Sequence, residues 1–174
     1  RVKRRAIALL GGAALAVGGA ALLLRPRNGA DPVSAAEPAF PALAPRLPSA
    51  ARIEIRRHDG ALELVRSGDL WTLPAKDGYP ARTERVRALL LGLAELRLSE
   101  PRTADPDALS RLGLDDPARP NSTAALIRVL DTDGVAIAEL LTGHSRSRAG
   151  GSAPDSLFVR RPASNQSWLA EGAL

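Results

Sequence analysis

The chain of 174 residues suits an anchor plus one domain or part of a larger one; 45% of it is apolar but only 3% aromatic, so a core must come from Leu, Val, Ile and Ala. It has no cysteine, which excludes disulfides, thiolate catalysis and Cys-ligated metal. The net charge of +5 does not point to nucleic acid: residues 1–27 hold six basic side chains and no acid, which leaves 18 of the 24 basic residues against all 19 acidic ones, with few aromatics to stack on bases.

Residues 6–24, from Ala6 to Leu24, carry no charged or polar side chain. As a helix this stretch spans about 28 Å, close to a hydrocarbon core of ~30 Å. Four cations precede it and two follow. The positive-inside bias then predicts a single-pass transmembrane anchor in a bacterial inner membrane, with its N-terminus cytoplasmic and the rest periplasmic. A cleaved signal peptide is the competing reading, with Val33-Ser34-Ala35 as its site, but the apolar run exceeds the roughly 7–15 residues of such segments. Both readings export the domain. Residues 1–27 are therefore a basic stub and anchor. Residues 28–50, with Pro32, Pro38, Pro41, Pro45 and Pro48, are a tether on which Phe40-Pro41 and Leu43 are apolar docking points. Residues 51–174 are the exported domain.

Residues 51–57 alternate, with Ile53 and Ile55 on one face and Arg52, Glu54 and Arg56 on the other, which predicts a half-buried strand. His58-Asp59-Gly60 turns the chain, residues 61–67 return, and Gly68-Asp69 leads into a short strand over 70–73. A loop runs from Pro74 to Pro80. Val86, Leu89, Leu90, Leu93 and Leu96 then recur at helical spacing behind a Thr83 cap, with Gly92 costing about 1 kcal/mol relative to Ala. Asp105-Pro106 and Gly113 bracket a short second helix. Residues 124–130 and 135–141 make a second hairpin around Asp133-Gly134. A strand follows over 157–161, and another starts at Ser167. The expected fold class is α+β: antiparallel hairpins or a meander packed with one amphipathic and one short helix.

No constellation for chemistry emerges. The two imidazoles, His58 in a hairpin turn beside two arginines and His144 before a glycine-rich loop, lie in no catalytic motif, and G-x-S-x-G and H-E-x-x-H are absent. Asp131-Thr132-Asp133-Gly134 lacks the downstream spacing and the glutamate of a calcium loop. The loop over 143–152 carries Arg146 and Arg148 among small polar residues. It reads first as a mobile hairpin loop; the alternative is a cradle for a phosphate or sulfated sugar, although it lacks the Gly-Lys-Ser/Thr of a P-loop. No catalytic residue, cofactor or metal ligand is assigned, and no small-molecule substrate is evident.

The order of short motifs is more specific than any one of them. Phe40-Pro41-Ala42-Leu43, Trp71-Thr72-Leu73, Gly78-Tyr79-Pro80-Ala81, Leu112-Gly113-Leu114-Asp115-Asp116-Pro117, Leu141-Thr142-Gly143 and Phe158-Val159-Arg160-Arg161 follow one another. In this the chain resembles a bacterial domain-of-unknown-function family of membrane-anchored proteins associated with gliding-motility-type ABC transporter auxiliary proteins. Members usually carry Tyr where this chain has Phe158. They often continue past the Trp-Leu-x-x-Gly at residues 168–172, so the resemblance implies a C-terminal cut or a short member. It brings no catalytic residues. Trp71, Tyr79, Pro80, Gly113, Arg146, Arg148 and Arg160 are the candidate interaction or structural residues. The resemblance implies a non-catalytic, membrane-anchored periplasmic accessory protein that binds a protein partner in an ABC-type transport or motility-related complex. The alternatives are a module that binds envelope polysaccharide or lipid, or an exported hydrolase built on His58 or His144.

Overall fold

Alternating apolar and polar residues build most of this molecule. The computed structural model describes residues 36–146 and 155–174. Its strands are β1 (Glu37–Pro38), β2 (Ala50–Arg57), β3 (Gly60–Ser67), β4 (Leu70–Leu73), β5 (Tyr79–Pro80), β6 (Arg97–Pro101), β7 (Ala125–Asp131), β8 (Ala136–Arg146), β9 (Ser156–Arg160) and β10 (Ser167–Glu171). One helix, α1 (Thr83–Glu95), lies between β5 and β6, and 3₁₀ turns occupy Ala44–Ser49, Pro74–Lys76 and Pro106–Leu112.

All ten strands join one antiparallel sheet in the order β1-β6-β10-β9-β8-β7-β2-β3-β4-β5. Two meanders, β2–β5 and β7–β10, meet where β2 pairs with β7, Ile53 opposite Val129 and Ile55 opposite Ile127. Helix α1 starts from the β5 edge and delivers the chain to β6, next to the opposite edge. Its 13 residues, about 20 Å long, therefore cross one face of the sheet. Both edges end in two-residue strands that contain a proline, Pro38 and Pro80, which blunts pairing with another chain.

The strand period of two gives the sheet two unlike faces. On the first, Ile53, Leu64, Trp71, Val129, Leu140 and Val159 pack with Val86 and Leu93 of α1 and with Leu96. On the second, Leu141 and Phe158 pack with Leu109, Leu114 and Ala124 around the turn Pro106–Leu112. That second cover spans only the β7–β10 half of the sheet.

This architecture corrects the expected fold class. The domain is a single, mainly antiparallel ten-stranded sheet, not a set of hairpins sharing an α+β layer with two helices. Alternation within a strand reports its buried face but not its neighbour, so the β2·β7 joint is invisible locally. The expected second helix is a 3₁₀ turn, capped as anticipated by the Asp105 carboxylate accepting from the Asp107 N–H at 3.0 Å. Thr83 does not cap α1; it is the first helical residue, and Arg82 precedes it with no side-chain cap. Among the described residues no helix is long and apolar enough to cross a membrane. The span expected at 6–24 lies outside the described residues, as do residues 28–35 of the tether. From Glu37 on, the segment expected as tether is packed. It supplies β1 and a 3₁₀ turn and buries Ala39, Leu43 and Ala50. Proline at the start of a 3₁₀ turn loses no needed donor, so Pro45 fits where an extended chain was expected.

Candidate functional site

The second face brings three motifs of the sequence together. The turn Pro106–Leu112 closes at Gly113 in the left-handed region, φ 68°, where the Leu114 N–H reaches back to Leu109 O at 2.9 Å. Gly143 of β8 lies directly beneath. A Cβ there would stand 2.1 Å from Leu112 O and 2.9 Å from Gly113 O. A Cβ on Gly113 would in turn meet Thr123 Oγ1 at 2.7 Å and the His144 ring at 2.9 Å. The two glycines permit backbone to lie on backbone. Arg160 of β9 fastens the same place, donating from Nε to Leu114 O at 3.1 Å and from Nη1 to Ser164 O at 3.2 Å. Burial pulls the Arg160 pKa below the ordinary arginine value, while Asp116 and Asp115 act in the opposite direction. Gly113 and Arg160 are thus structural parts of one joint. Beside it Phe158 is buried under two cations, the guanidinium carbons of Arg146 and Arg102 lying 5.2 and 5.9 Å from its ring centroid. Arg148 lies outside the described residues.

The remaining candidates sit at the other end of the sheet. Trp71 is 6% exposed and belongs to the first-face core. Asp77 and Gly78 both adopt positive φ, 51° and 74°, and reverse the chain so that Tyr79 lies opposite Leu73 and Pro80 opposite Thr72. The Ala81 N–H then donates to Trp71 O at 2.7 Å. Tyr79, on the edge strand, is 66% exposed. The structure therefore gathers Gly113, Arg146 and Arg160 into one region and Trp71, Tyr79 and Pro80 into another.

The two histidines have different settings. His144 Nε2 is 3.2 Å from Thr123 Oγ1, within the glycine joint. His58 is exposed in the β2–β3 turn. Among the described residues no group of three His, Asp or Glu side chains could hold a metal ion. A groove of about 380 Å³ runs between Phe40, Pro41 and Leu43 on one side and Ile137, Arg161 and Pro162 on the other. Arg161 Nη2, in its lining, donates to Ala39 O at 2.9 Å.

Sequence reasoning missed a charged row on the second face. Arg128 of β7 lies opposite Glu54 of β2 and Glu139 of β8. Its Nη1 donates to Glu54 Oε2 at 3.2 Å. Its Nε is 2.9 Å from Glu139 Oε1 yet misaligned for a hydrogen bond, so this second contact is Coulombic. The only signal available was that each residue occupies the polar phase of its strand. Arg128→Ala is expected to cost about 1–2 kcal/mol in urea unfolding, because it takes the nearest cation from two carboxylates that are partly shielded from water. Arg52→Ala, which removes an exposed pair with Glu63, is expected to stay within about 0.5 kcal/mol of wild type. Equal effects of the two substitutions would remove the distinction.

The family described as Domain of unknown function (DUF4340) matches residues 71–174. The match opens at Trp71 and takes in both motif regions, while Phe40-Pro41-Ala42-Leu43 lies ahead of it. No curated protein and no solved structure matches the chain.

Proposed function

We propose, since this chain belongs to the DUF4340 family of domains of unknown function, that it is a non-catalytic accessory domain acting by protein–protein interaction. Its setting in this reading is the periplasmic side of a bacterial inner membrane, in an ABC-type transport or motility-related complex. One observation carries the reading. The chain has five aromatic side chains. Trp71 and Phe158 are buried in the two cores, and Phe40 and Trp168 pack against the first. Tyr79 alone stands out into solvent, within a family-matched segment and on a sheet edge. A chain this poor in aromatics spends one on the surface, and tyrosine is among the side chains that dominate binding hot spots. Crosslinking in the native membrane, followed by identification of what co-purifies, tests this. Transporter subunits are expected with the wild type, and Tyr79→Ala is expected to reduce their recovery about tenfold while leaving the melting temperature unchanged. Equal recovery with the variant would refute the role of Tyr79, and absence of any transporter subunit would refute the reading.

A second reading, binding of envelope polysaccharide or lipid, draws on the pair of guanidiniums held at Phe158. Arg146→Ala would have to weaken binding to envelope fractions for it to stand.

A further inference from the structure

The incomplete cover of the second face leaves a cavity at its boundary. The turn Pro106–Leu112 and the loop after it overlie the β7–β9 region and reach the open half of the sheet at Asp116-Pro117-Ala118. There Leu126 on β7, Arg56 on β2 and Ala61 on β3 form one row, because Arg56 pairs with both of the others. Between this row and the loop lies a cavity of about 410 Å³. Small-molecule sites run from about 300 to 1,000 Å³, with mostly apolar walls and a few placed polar groups. Leu126, Ala61, Pro117 and Ala118 give this one its apolar surface, and Arg56, Arg57 and His58 stand at its rim.

The rim cations hold only long, exposed ion pairs. Arg56 Nη2 is 3.6 Å from Glu54 Oε2, but that oxygen is already the acceptor of Arg128 Nη1. Arg57 Nε is 3.5 Å from Asp59 Oδ1. Among the described residues neither guanidinium donates a hydrogen bond, and Arg56, with only Nη2 facing a carboxylate, has further N–H donors for another partner. Asp116 is the one carboxylate in the lining; its Oδ1 accepts from the Ala118 N–H at 2.9 Å, and its charge acts on Arg160.

We propose that this cavity binds a small amphiphilic anion. Its acidic head pairs with Arg56, the cation in the same row as Leu126 and Ala61, and a short aliphatic body lies over Leu126, Ala61 and Pro117. A neutral amphiphile gives Arg56 no charged acceptor closer than its 3.6 Å contact with Glu54, and a bare inorganic anion leaves the apolar surface wet. The site is independent of the partner surface at Tyr79.

The test titrates the 174-residue chain with octanoate and reads the heat of binding. Saturable one-to-one binding is expected, with acetate and octyl glucoside each weaker by about tenfold or more. Arg56→Ala is expected to weaken octanoate by about tenfold or more, since a hydrogen bond to a charged group is worth about 1.5–3 kcal/mol. Ala61→Leu, which fills the cavity and keeps every charge, is expected to weaken it as well. Arg87→Ala, an exposed cation on α1 across the sheet, is expected to change nothing. Melting curves establish that each variant is folded. Failure of octanoate to bind, equal binding to wild type and both cavity variants, or equal binding of octyl glucoside would overturn the proposal. Two sources could supply such an anion. Binding of the free monomer supports a soluble one, whereas binding to phosphatidylglycerol vesicles that the same two substitutions abolish supports a bilayer.

Discussion

Gly143→Ala is expected to lower the stability of the domain by about 3 kcal/mol, at the upper end of what overpacking costs. The reason is where the new carbon would go. It would stand 2.1 Å from Leu112 O and 2.9 Å from Gly113 O, and both are backbone atoms that no rotamer change can move aside. Relief requires β8 to separate from the turn Pro106–Leu112. That separation opens the second core, in which Leu109, Leu114, Leu141 and Phe158 meet. Gly68→Ala separates this steric effect from simple backbone strain. Gly68 has φ 61°, but nothing lies within 4 Å of its Cβ position. Its substitution is expected to cost only the left-handed penalty, about 1–2 kcal/mol. Urea unfolding of both variants makes the comparison. A Gly143→Ala protein within about 1 kcal/mol of wild type would mean that the backbone contact does not hold this joint.

This joint also marks the limit of what the chain discloses by itself. Gly113 was legible, because a glycine that ends a short apolar turn signals a left-handed residue, and its φ is 68°. Gly143 was visible only as the end of the Leu141-Thr142-Gly143 motif and the start of the loop over 143–152. Its physical reason, a backbone 30 residues away in sequence, is a tertiary fact. The same division runs through the strands. Ile53 and Ile55 announced β2, the return over 61–67 matches β3 to one residue, and the short strand over 70–73 has the bounds of β4. No local pattern says that β2 lies beside β7, and that pairing turns two hairpins into one sheet. Strand β6 escaped notice because it follows α1 directly: Arg97–Pro101 carries little alternation and gains its place from β10.

Helix α1 illustrates the converse, a local defect with a tertiary cause. Gly92 weakens the helix by about 1 kcal/mol relative to Ala when judged by propensity alone. In the fold, a Cβ at Gly92 would stand 2.3 Å from Ala173 O. The helix gives up intrinsic stability there so that the segment after β10 can lie against it. Arg56, Arg57 and His58 show a further limit. As sequence they are a basic run in a turn; only the loop Asp116-Pro117-Ala118, brought from far along the chain, makes them the rim of a cavity.

Trp71→Ala is expected to cost about 3–5 kcal/mol, the range for removing a large aromatic side chain from a core. Trp71 is 6% exposed and stands on β4, one strand in from the sheet edge, in the core that α1 covers. Two features set the size of the effect. The other fully buried members of this core are aliphatic, so none of them is large enough to fill the space an indole leaves. The edge is also thin: β5 is two residues long, and Ala81 is held by the Trp71 carbonyl at 2.7 Å. Displacing β4 therefore loosens the approach to α1. Against a total stability of roughly 5–15 kcal/mol, such a loss leaves the variant marginal at growth temperature. Trp71→Phe retains most of the buried area and is expected to recover more than half of the loss, about 2 kcal/mol or more. Calorimetric melting of the two variants beside Tyr79→Ala reads the contrast. A large loss at Trp71 with none at Tyr79 assigns the first aromatic to the core and leaves the second for a partner. A Trp71→Ala protein as stable as wild type would remove Trp71 from the core and make it a second partner contact.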